Sequence, residues 1–366
     1  MMSKTATART ARPIPIALFA VAALTPLALL GLGIMGGGIW VAAGVAYMTV
    51  FAAMMDQITS AFIGDAVEGA EFPGTDALLV VLALGTLALM PAAVWAIAGD
   101  SGLSGLARFG VFLGTGLWFG QVANPTAHEL IHRGHRGLFR LGALVYAVLL
   151  FGHHTSAHRL VHHRHAASAD DPNTARSGEG YYAFLIRAWV GSFHKGLQAE
   201  TALRARGASS GGTRGIHPYA AYIGIAVICL ALGYGIAGWA GVLAWGALAF
   251  HGQSQLMLSD YVQHYGLTRA RLPDGRLEPV GPRHSWNAPQ WFSASFMLNA
   301  PRHSDHHAHP SRPYPALRLP APADAPRLPW PLPTACMIAL VPPVWRRAMR
   351  PHLAPWRTPA DRSVPG

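Results

Sequence analysis

Charge and cysteine are what this chain has least of. Only 12% of its 366 residues are Asp, Glu, Lys or Arg, whereas 51% are hydrophobic. No Lys or Arg occurs from position 13 to 107, and none from 216 to 258. Stretches of that length without a basic residue mark a chain that resides in hydrocarbon. The two cysteines, Cys229 and Cys336, stand far apart in apolar surroundings. This excludes a disulfide framework, a CxxC pair and a four-thiolate iron site, so any thiolate-ligated iron centre belongs to another protein. A formal net charge of +11 would suggest nucleic acid in a soluble protein. Here the basic residues are gathered in particular loops, which is the pattern of membrane topology, so nucleic acid is excluded as a partner.

A bilayer core takes about 20 apolar residues in helix. The sequence offers six such stretches, at about 13–33, 37–55, 77–98, 105–127, 218–236 and 239–258. Gly36-Gly37-Gly38 joins the first pair and a turn near Gly238 the last, so both read as helical hairpins. The first run is followed at once by a second span and is read as an uncleaved anchor rather than a signal peptide. Lys4, Arg9 and Arg12 place the N-terminus in the cytoplasm, and six crossings return Arg346, Arg347 and Arg350 to the same side. The loop over 56–76 carries Asp56, Asp65, Glu68 and Glu71 on that side, where acidic residues weigh little. Leu138–Gly152 is apolar but only 15 residues long, too short to cross, and reads as a re-entrant or interfacial helix. Residues 318–333 are rich in proline and read as a surface loop, and Ala335–Val341 is too short to span. The expected fold is therefore all-α: a single polytopic membrane domain over 1–366. Six transmembrane helices would carry a cytoplasmic histidine-rich cap built from 128–215 and 259–350.

What the chain does have is histidine, 19 in all, mostly in tight groups. HELIHR begins at His128, HRLVHHRH at His158, and PRHSDHHAHP holds four histidines between His303 and His309. His128 and His132, His158 and His162, and His303 and His307 are each four apart, so on a helix each pair projects from one face and can grip one metal. His163 follows His162 directly, about 100° around a helix, so those two suit separate metals. His264 stands alone in DYVQHYGL. Neutral imidazole suits iron, zinc and copper, and so large an all-nitrogen set points to two metals. HELIH also matches the HExxH pattern of zinc proteases, with Glu129 as general base, but that reading leaves the other clusters without a task. A third reading is a metal-binding or transport protein without redox chemistry. His135, His194, His217 and His352 are isolated and read as structural.

HELIHR, AHRLVHHRHAASADDPNTARSGE, DYVQHYGL and NAPRHSDHHAHPSRPYPALR, in that order, resemble the integral-membrane alkane 1-monooxygenases, which fall within the membrane di-iron hydroxylases and fatty-acid desaturases. The segment LPDGRLEPVGPRHSWN is similar to that family too, and the likeness is specific over about 120–350. The resemblance implies two non-haem irons held by nine histidines: His128, His132, His158, His162, His163, His264, His303, His306 and His307. It also implies oxygen-dependent hydroxylation of a terminal carbon, with electrons from a rubredoxin or ferredoxin and its reductase. Related outcomes are desaturation and aryl-methyl hydroxylation. The chain departs from the family pattern at Ala157 and Val161 (Glu and Gly), at Asp260 and Gln263 (Asn and Glu), at His165 (acidic) and at Arg133 (Lys). None of these removes an implied ligand. All bear on the residues that surround the ligands, and hence on potential and substrate preference.

An alkane offers no polar handle, so its binding rests on burying methylenes, each contributing about 0.8 kcal/mol. A channel among the spans, open to lipid, would supply this, with the histidines at its cytoplasmic mouth. Gly33, Gly36, Gly38, Ala43 and Gly44 either leave such a channel open or let the helices pack closely. His251, Gln255 and Ser259 follow a four-residue interval in the sixth span, and His251 lies roughly 20 Å of helix from His264, so it reads as a channel or packing residue. Glu129, Asp171, Asp260 and Asp305 are candidates to hold the second nitrogen of a ligand imidazole, with turn formation the equal alternative for Asp171-Pro172. His309 is the candidate extra ligand, and His153, His154 and His284 are neighbours of the site or structural. Arg204, Arg206, Arg214 and Arg312 could attract an acidic electron carrier or anionic lipid.

Overall fold

The computed structural model describes residues 15–58, 65–66, 70–209 and 215–356. Lys4, Arg9, Arg12, Glu68 and Arg214 lie outside the described residues. Among the described residues every regular element is helical, and the only extended pairings are two isolated bridges, Arg271 with Leu277 and Asn287 with Arg327.

Helices α1 (Ile16–Gly36) and α2 (Gly38–Ile58) form the first hairpin, turning at Gly37 with φ +59°. A Cβ at Gly33 would come within 2.9 Å of Val41, and one at Gly44 within 3.3 Å of Leu30, so these glycines set how closely the hairpin packs. None of Gly33, Gly36, Gly38, Ala43 or Gly44 lines the cavity described below; of their two readings, close packing holds for Gly33 and Gly44, whereas a Cβ at Gly38 would meet open space. Helix α3 (Thr75–Ala98) follows. Arg108, the first basic residue after the long gap, donates to the carbonyls of Ile97 (2.7 Å) and Gly99 (2.9 Å) and so satisfies the end of α3. The Ser104 hydroxyl accepts from the Ala107 amide and starts the next helix.

That helix, α4, runs over 105–131 as Gly105–Trp118, a π-turn at Phe119–Ala123, and Asn124–Ile131. Helix α5 (Arg136–Val148) is 13 residues long and folds back along it; Gly142 sits so close that a Cβ would meet Leu130 and the Ala127 carbonyl. A short α6 covers 154–165 and contains a second π-turn, His158–His162. Helix α7 (Tyr181–Ser209) spans 29 residues and was not legible in hydropathy, because Arg187, Lys195 and Glu200 interrupt its apolar positions.

Helix α8 (Pro218–His264) is 47 residues long but breaks at Ala237 and Gly238, the latter at φ +58°. Gly233 and Gly241 meet backbone to backbone across the break, so its two limbs form the hairpin expected near Gly238. Four helices among the described residues are long and apolar enough to cross a membrane: α1, α2, α3 and α8. They present Val21, Ile39, Val50, Val81, Ile223, Trp239 and Leu243 outward, as lipid-facing surfaces do.

The C-terminal third supplies α9 (Trp291–Phe296), α10 (His303–Ala308), α11 (Leu332–Ala339) and α12 (Pro342–Leu353). Buried Asp56 at the end of α2 accepts the Phe292 and Ser293 amides at 3.0 Å each, and Trp291 donates to the Met55 carbonyl at 3.0 Å. These bonds pin the C-terminal segment against the first hairpin. Residues 318–331 run without α-helix, as their prolines predict, but Leu332 and Pro333 already open α11, and Ala325, Leu328 and Leu332 are buried rather than on the surface.

Candidate metal centre

The histidine groups lie on four separate segments that meet at one end of the helices. His128 and His132 come from the end of α4, His158, His162 and His163 from α6, His264 from the end of α8, and His303, His306 and His307 from α10. The structure sorts them into two groups whose nitrogens lie within 4.8 Å of one another: His128, His132, His158, His163 and His306 in one, and His162, His264, His303 and His307 in the other. All nine expected positions are brought together.

The sorting differs from the spacing argument in one place. His128 with His132, and His303 with His307, share a group as residues four apart should. His158 and His162 do not. The π-turn at His158–His162 widens the helix so that residues five apart align, and His158 Nε2 lies 2.9 Å from His163 Nε2. His162 is left free to face the other group. In α10 the same division follows from ordinary helical geometry: His306 Nε2 lies 3.2 Å from His163, and His307 Nε2 lies 3.0 Å from His303.

Burial first, and neighbouring imidazoles second, hold His158, His163, His303, His306 and His307 well below the usual histidine range, so they are neutral and able to act as ligands. His162 differs. Burial pushes it down, but the Asp171 carboxylate 2.8 Å from its Nδ1, with Asp260 adding to it, outweighs this and raises it, while Asp171 is itself lowered. The Nδ1 contact directs His162 Nε2 at its group. His264 is oriented likewise, its Nδ1 lying 3.3 Å from the His284 carbonyl. The Nε2 atoms of His128, His132 and His162 are buried and have no hydrogen-bond partner, which fits donors aimed at metal ions.

Of the four carboxylates proposed to support ligand imidazoles, only Asp171 does so. Asp260 accepts from the Asn173 amide at 2.7 Å. Asp305 binds Arg312 (2.5 Å), His309 (3.1 Å) and the Arg318 amide (2.8 Å) behind α10. Glu129 accepts from the Tyr314 amide at 3.2 Å and lies 3.5 Å from Arg133, and it borders the cavity beside His128. His309 joins neither group, being paired with Asp305. His153 packs on Trp189 and Phe193, His154 stacks on Phe151, and His284 pairs with Glu278 at 3.0 Å.

A cavity of about 810 Å³ leads away from the first group. His128, His158, His303 and His306 line one part of it; Leu113, Leu117, Leu256 and Met297 line others; and outward-facing Val50, Phe250, Tyr182 and Met337 also border it. His251 and Gln255 line it as well, seated where Gly116 and Gly120 leave room, since a Cβ at either glycine would overlap their side chains. The two glycines escaped the sequence reading. Gln121 and Asn124, also on the wall, did too, although polar residues inside an apolar span are a visible signal.

The sequence model of the fatty acid desaturase family matches residues 103–335, more than half of the chain and all of both histidine groups. The chain belongs to that family. Among curated relatives of this family member, alkane 1-monooxygenase 1 of Pseudomonas aeruginosa is 33% identical over 250 residues, covering 68% of this chain and 64% of that protein. An alkane 1-monooxygenase of Ectopseudomonas oleovorans is 35% identical over 274 residues, 74% of this chain and 66% of its own. Alkane 1-monooxygenase 2 of Pseudomonas aeruginosa is 31% identical over 314 residues, 82% of this chain and 80% of its own. The match thus spans just under two thirds of the first two relatives and four fifths of the third.

Proposed function

We propose that the chain is a non-haem di-iron alkane 1-monooxygenase, which hydroxylates the terminal carbon of alkanes to 1-alkanols with dioxygen. The observation that carries this reading is the pair of imidazole groups, five and four strong, beside an apolar cavity bordered by outward-facing residues. A catalytic zinc takes three protein ligands and a structural one four, so nine imidazoles in two sets exceed what zinc uses and suit two irons with positions left open. The nine ligands are His128, His132, His158, His163 and His306 for one iron, and His162, His264, His303 and His307 for the other. When bound, the iron pair supplies oxygen activation. The protein's part is to bury the methylene chain, present its end to the first group, keep bulk water out and hold His162 through Asp171. The related alkane 1-monooxygenases support the substrate class.

Electrons would come from a rubredoxin or ferredoxin with its reductase, because this chain has no thiolate site of its own. The whole chain forms one hydroxylase domain with six crossings, counting α4 and the two limbs of α8. It resides in a bacterial-type plasma membrane, with both termini and the histidine cap on the cytoplasmic side, where the basic residues outside the spans gather.

The test is product analysis by mass spectrometry in cells given a panel of alkanes, alongside metal analysis of the purified protein. Two irons per chain and 1-alkanol product are expected, with product lost in His306→Ala. Equal product from that variant, or one zinc and no iron, defeats the proposal.

A further inference from the structure

The C-terminal helices carry a surface that the hydroxylase chemistry does not use. In α12, Trp345, Met349 and Leu353 are buried at four-residue intervals and fix which face packs inward. Arg346, Arg350 and Arg347 then fall within an arc of about 100° on the other side, and all three are exposed. Among the described residues, Arg347 and Arg350 have no hydrogen-bond or ion-pair partner, and Arg346 has only the Gly178 carbonyl at 3.4 Å. No Asp or Glu occurs from position 325 to 360, so the segment that bears the arginines supplies no counter-charge. Three guanidinium groups gathered in this way favour an anion from outside the chain.

What lies beside the arginines decides which anion. Val344 adjoins them on α12, and Val341 and Met337 continue from it toward α11, all exposed although apolar. Next to these, α7 turns out Tyr182 and Ile186, four residues apart on one face, with Ile186 69% exposed. The two sides are joined: Tyr182 Oη donates to the Leu340 carbonyl at 2.9 Å, and a Cβ at Gly180 would come within 3.3 Å of Pro342. A soluble acidic protein would satisfy the arginines and leave the apolar strip unexplained. A phospholipid matches both parts. The depth agrees. Tyr182 and Met337 border the cavity together with Val50 and Phe250, which face outward from spanning helices. Arg347 stands three residues past Val344, roughly 5 Å of helix, so the arginines follow the hydrocarbon level closely, where headgroups lie. We propose that α12 and the edge of α7 bind an anionic phospholipid of the surrounding leaflet. Its headgroup sits on Arg346, Arg347 and Arg350, and an acyl chain runs along Val344, Val341, Met337 and Ile186.

Charge selects among lipids. A zwitterionic headgroup brings a cation of its own toward the three guanidinium groups, whereas the net negative headgroup of phosphatidylglycerol does not. Arginine suits the role, since its planar fork takes phosphate oxygens in pairs and its stem lies along apolar surface. Helix α11 supplies Leu332, Cys336 and Met337 to the cavity wall and leads directly into α12, so a lipid held there ties the border of the cavity to the leaflet. The site is independent of the alkane-hydroxylase reading, because it requires only that the helices span a membrane.

Full-length protein in dodecyl-maltoside micelles, titrated with pyrene-labelled phosphatidylglycerol, gives the affinity through energy transfer from tryptophan. Saturable binding is expected, several-fold tighter than that of pyrene-labelled phosphatidylcholine. A basic residue near an anionic surface is worth about fivefold, so Arg347→Gln combined with Arg350→Gln should weaken phosphatidylglycerol by about twentyfold and leave phosphatidylcholine unchanged. Arg347→Lys with Arg350→Lys should keep the preference, and Arg271→Gln, at an exposed arginine away from α12, should bind as the wild type does. Thermal unfolding checks that the Gln pair folds; should it not, either single Gln variant gives the same readout at about fivefold. Equal affinity for the two lipids, or undiminished phosphatidylglycerol binding in the folded Gln variants, overturns the site. So does displacement of the lipid by inorganic phosphate at constant ionic strength, which marks a free-anion site, or by reduced rubredoxin, which marks a dock for the carrier. Alkane turnover enters none of these measurements, so the hydroxylase reading stands or falls separately.

Discussion

Replacing Asp171 with Asn tests the division of nine imidazoles into two centres. Both oxygens of this fully buried carboxylate act as acceptors: Oδ2 from His162 Nδ1 (2.8 Å) and the Thr174 hydroxyl (2.7 Å), Oδ1 from the Asn173 amide (3.0 Å). An asparagine has one acceptor and one donor in the same place. Its NH₂ must then face either the Asn173 N–H, a donor against a donor, or His162 Nδ1, which would move the imidazole proton to the nitrogen that should bind metal. Loss of such a supporting contact typically costs tenfold to a hundredfold in metal affinity, or about 1.4–2.8 kcal/mol. Only the group of His162, His264, His303 and His307 contains the affected ligand. Chelator titration followed by metal analysis should therefore show one iron per chain released at tenfold to hundredfold lower chelator than in the wild type, while the second iron holds. A release curve superimposed on the wild type refutes the role of Asp171. Simultaneous loss of both irons from folded protein refutes the partition into two groups.

Glu129→Gln should retain two irons and hydroxylation, because Glu129 serves Tyr314 and Arg133; the protease reading requires that it abolish all activity, and assaying both reactions on one preparation decides. Gly120→Ala forces a methyl into Gln255 and should cost about 1–3 kcal/mol of stability by overpacking; thermal unfolding measures this, and alkane profiling should show turnover of long chains falling more than that of short ones. Asp305→Ala releases Arg312, His309 and the Arg318 amide behind α10, leaves Arg312 without its partner, and should lower stability by about 1–3 kcal/mol; an unchanged melting temperature contradicts that account.

That the nine histidines converge was legible because helical periodicity marks two of the three histidine boxes, and because no soluble rationale explains so many imidazoles between apolar spans. How His158, His162 and His163 divide was not legible. A π-turn is one residue's worth of extra backbone, and nothing in HRLVHHRH announces it. The glycines show the same limit from the other side. Gly33 and Gly44 in a hairpin and Gly116 and Gly120 in a single span look alike in sequence, and only the partner helix decides that the first pair packs and the second seats cavity residues. Asp171 could be named among four carboxylates because it follows a histidine box closely, but choosing it required knowing which oxygen faces which ring. Helix α7 was missed because its charged positions mask an apolar face that buries Tyr181, Phe184 and Ala188 and packs Trp189 and Phe193 on His153.

That each basin draws on donors from both ends of a long stretch of chain has a consequence for assembly. A polypeptide synthesised only as far as Ala300 possesses His128, His132, His158 and His163 for one basin, but just His162 and His264 for the other. The second cannot exist until the six-residue α10 has been made, released from the ribosome and docked, the docking guided by Asp56 gripping the amides of α9. On the proposed reading, metal loading is thus the closing act of biogenesis, and a copy that ends before His303 lacks two of the four donors of the second basin.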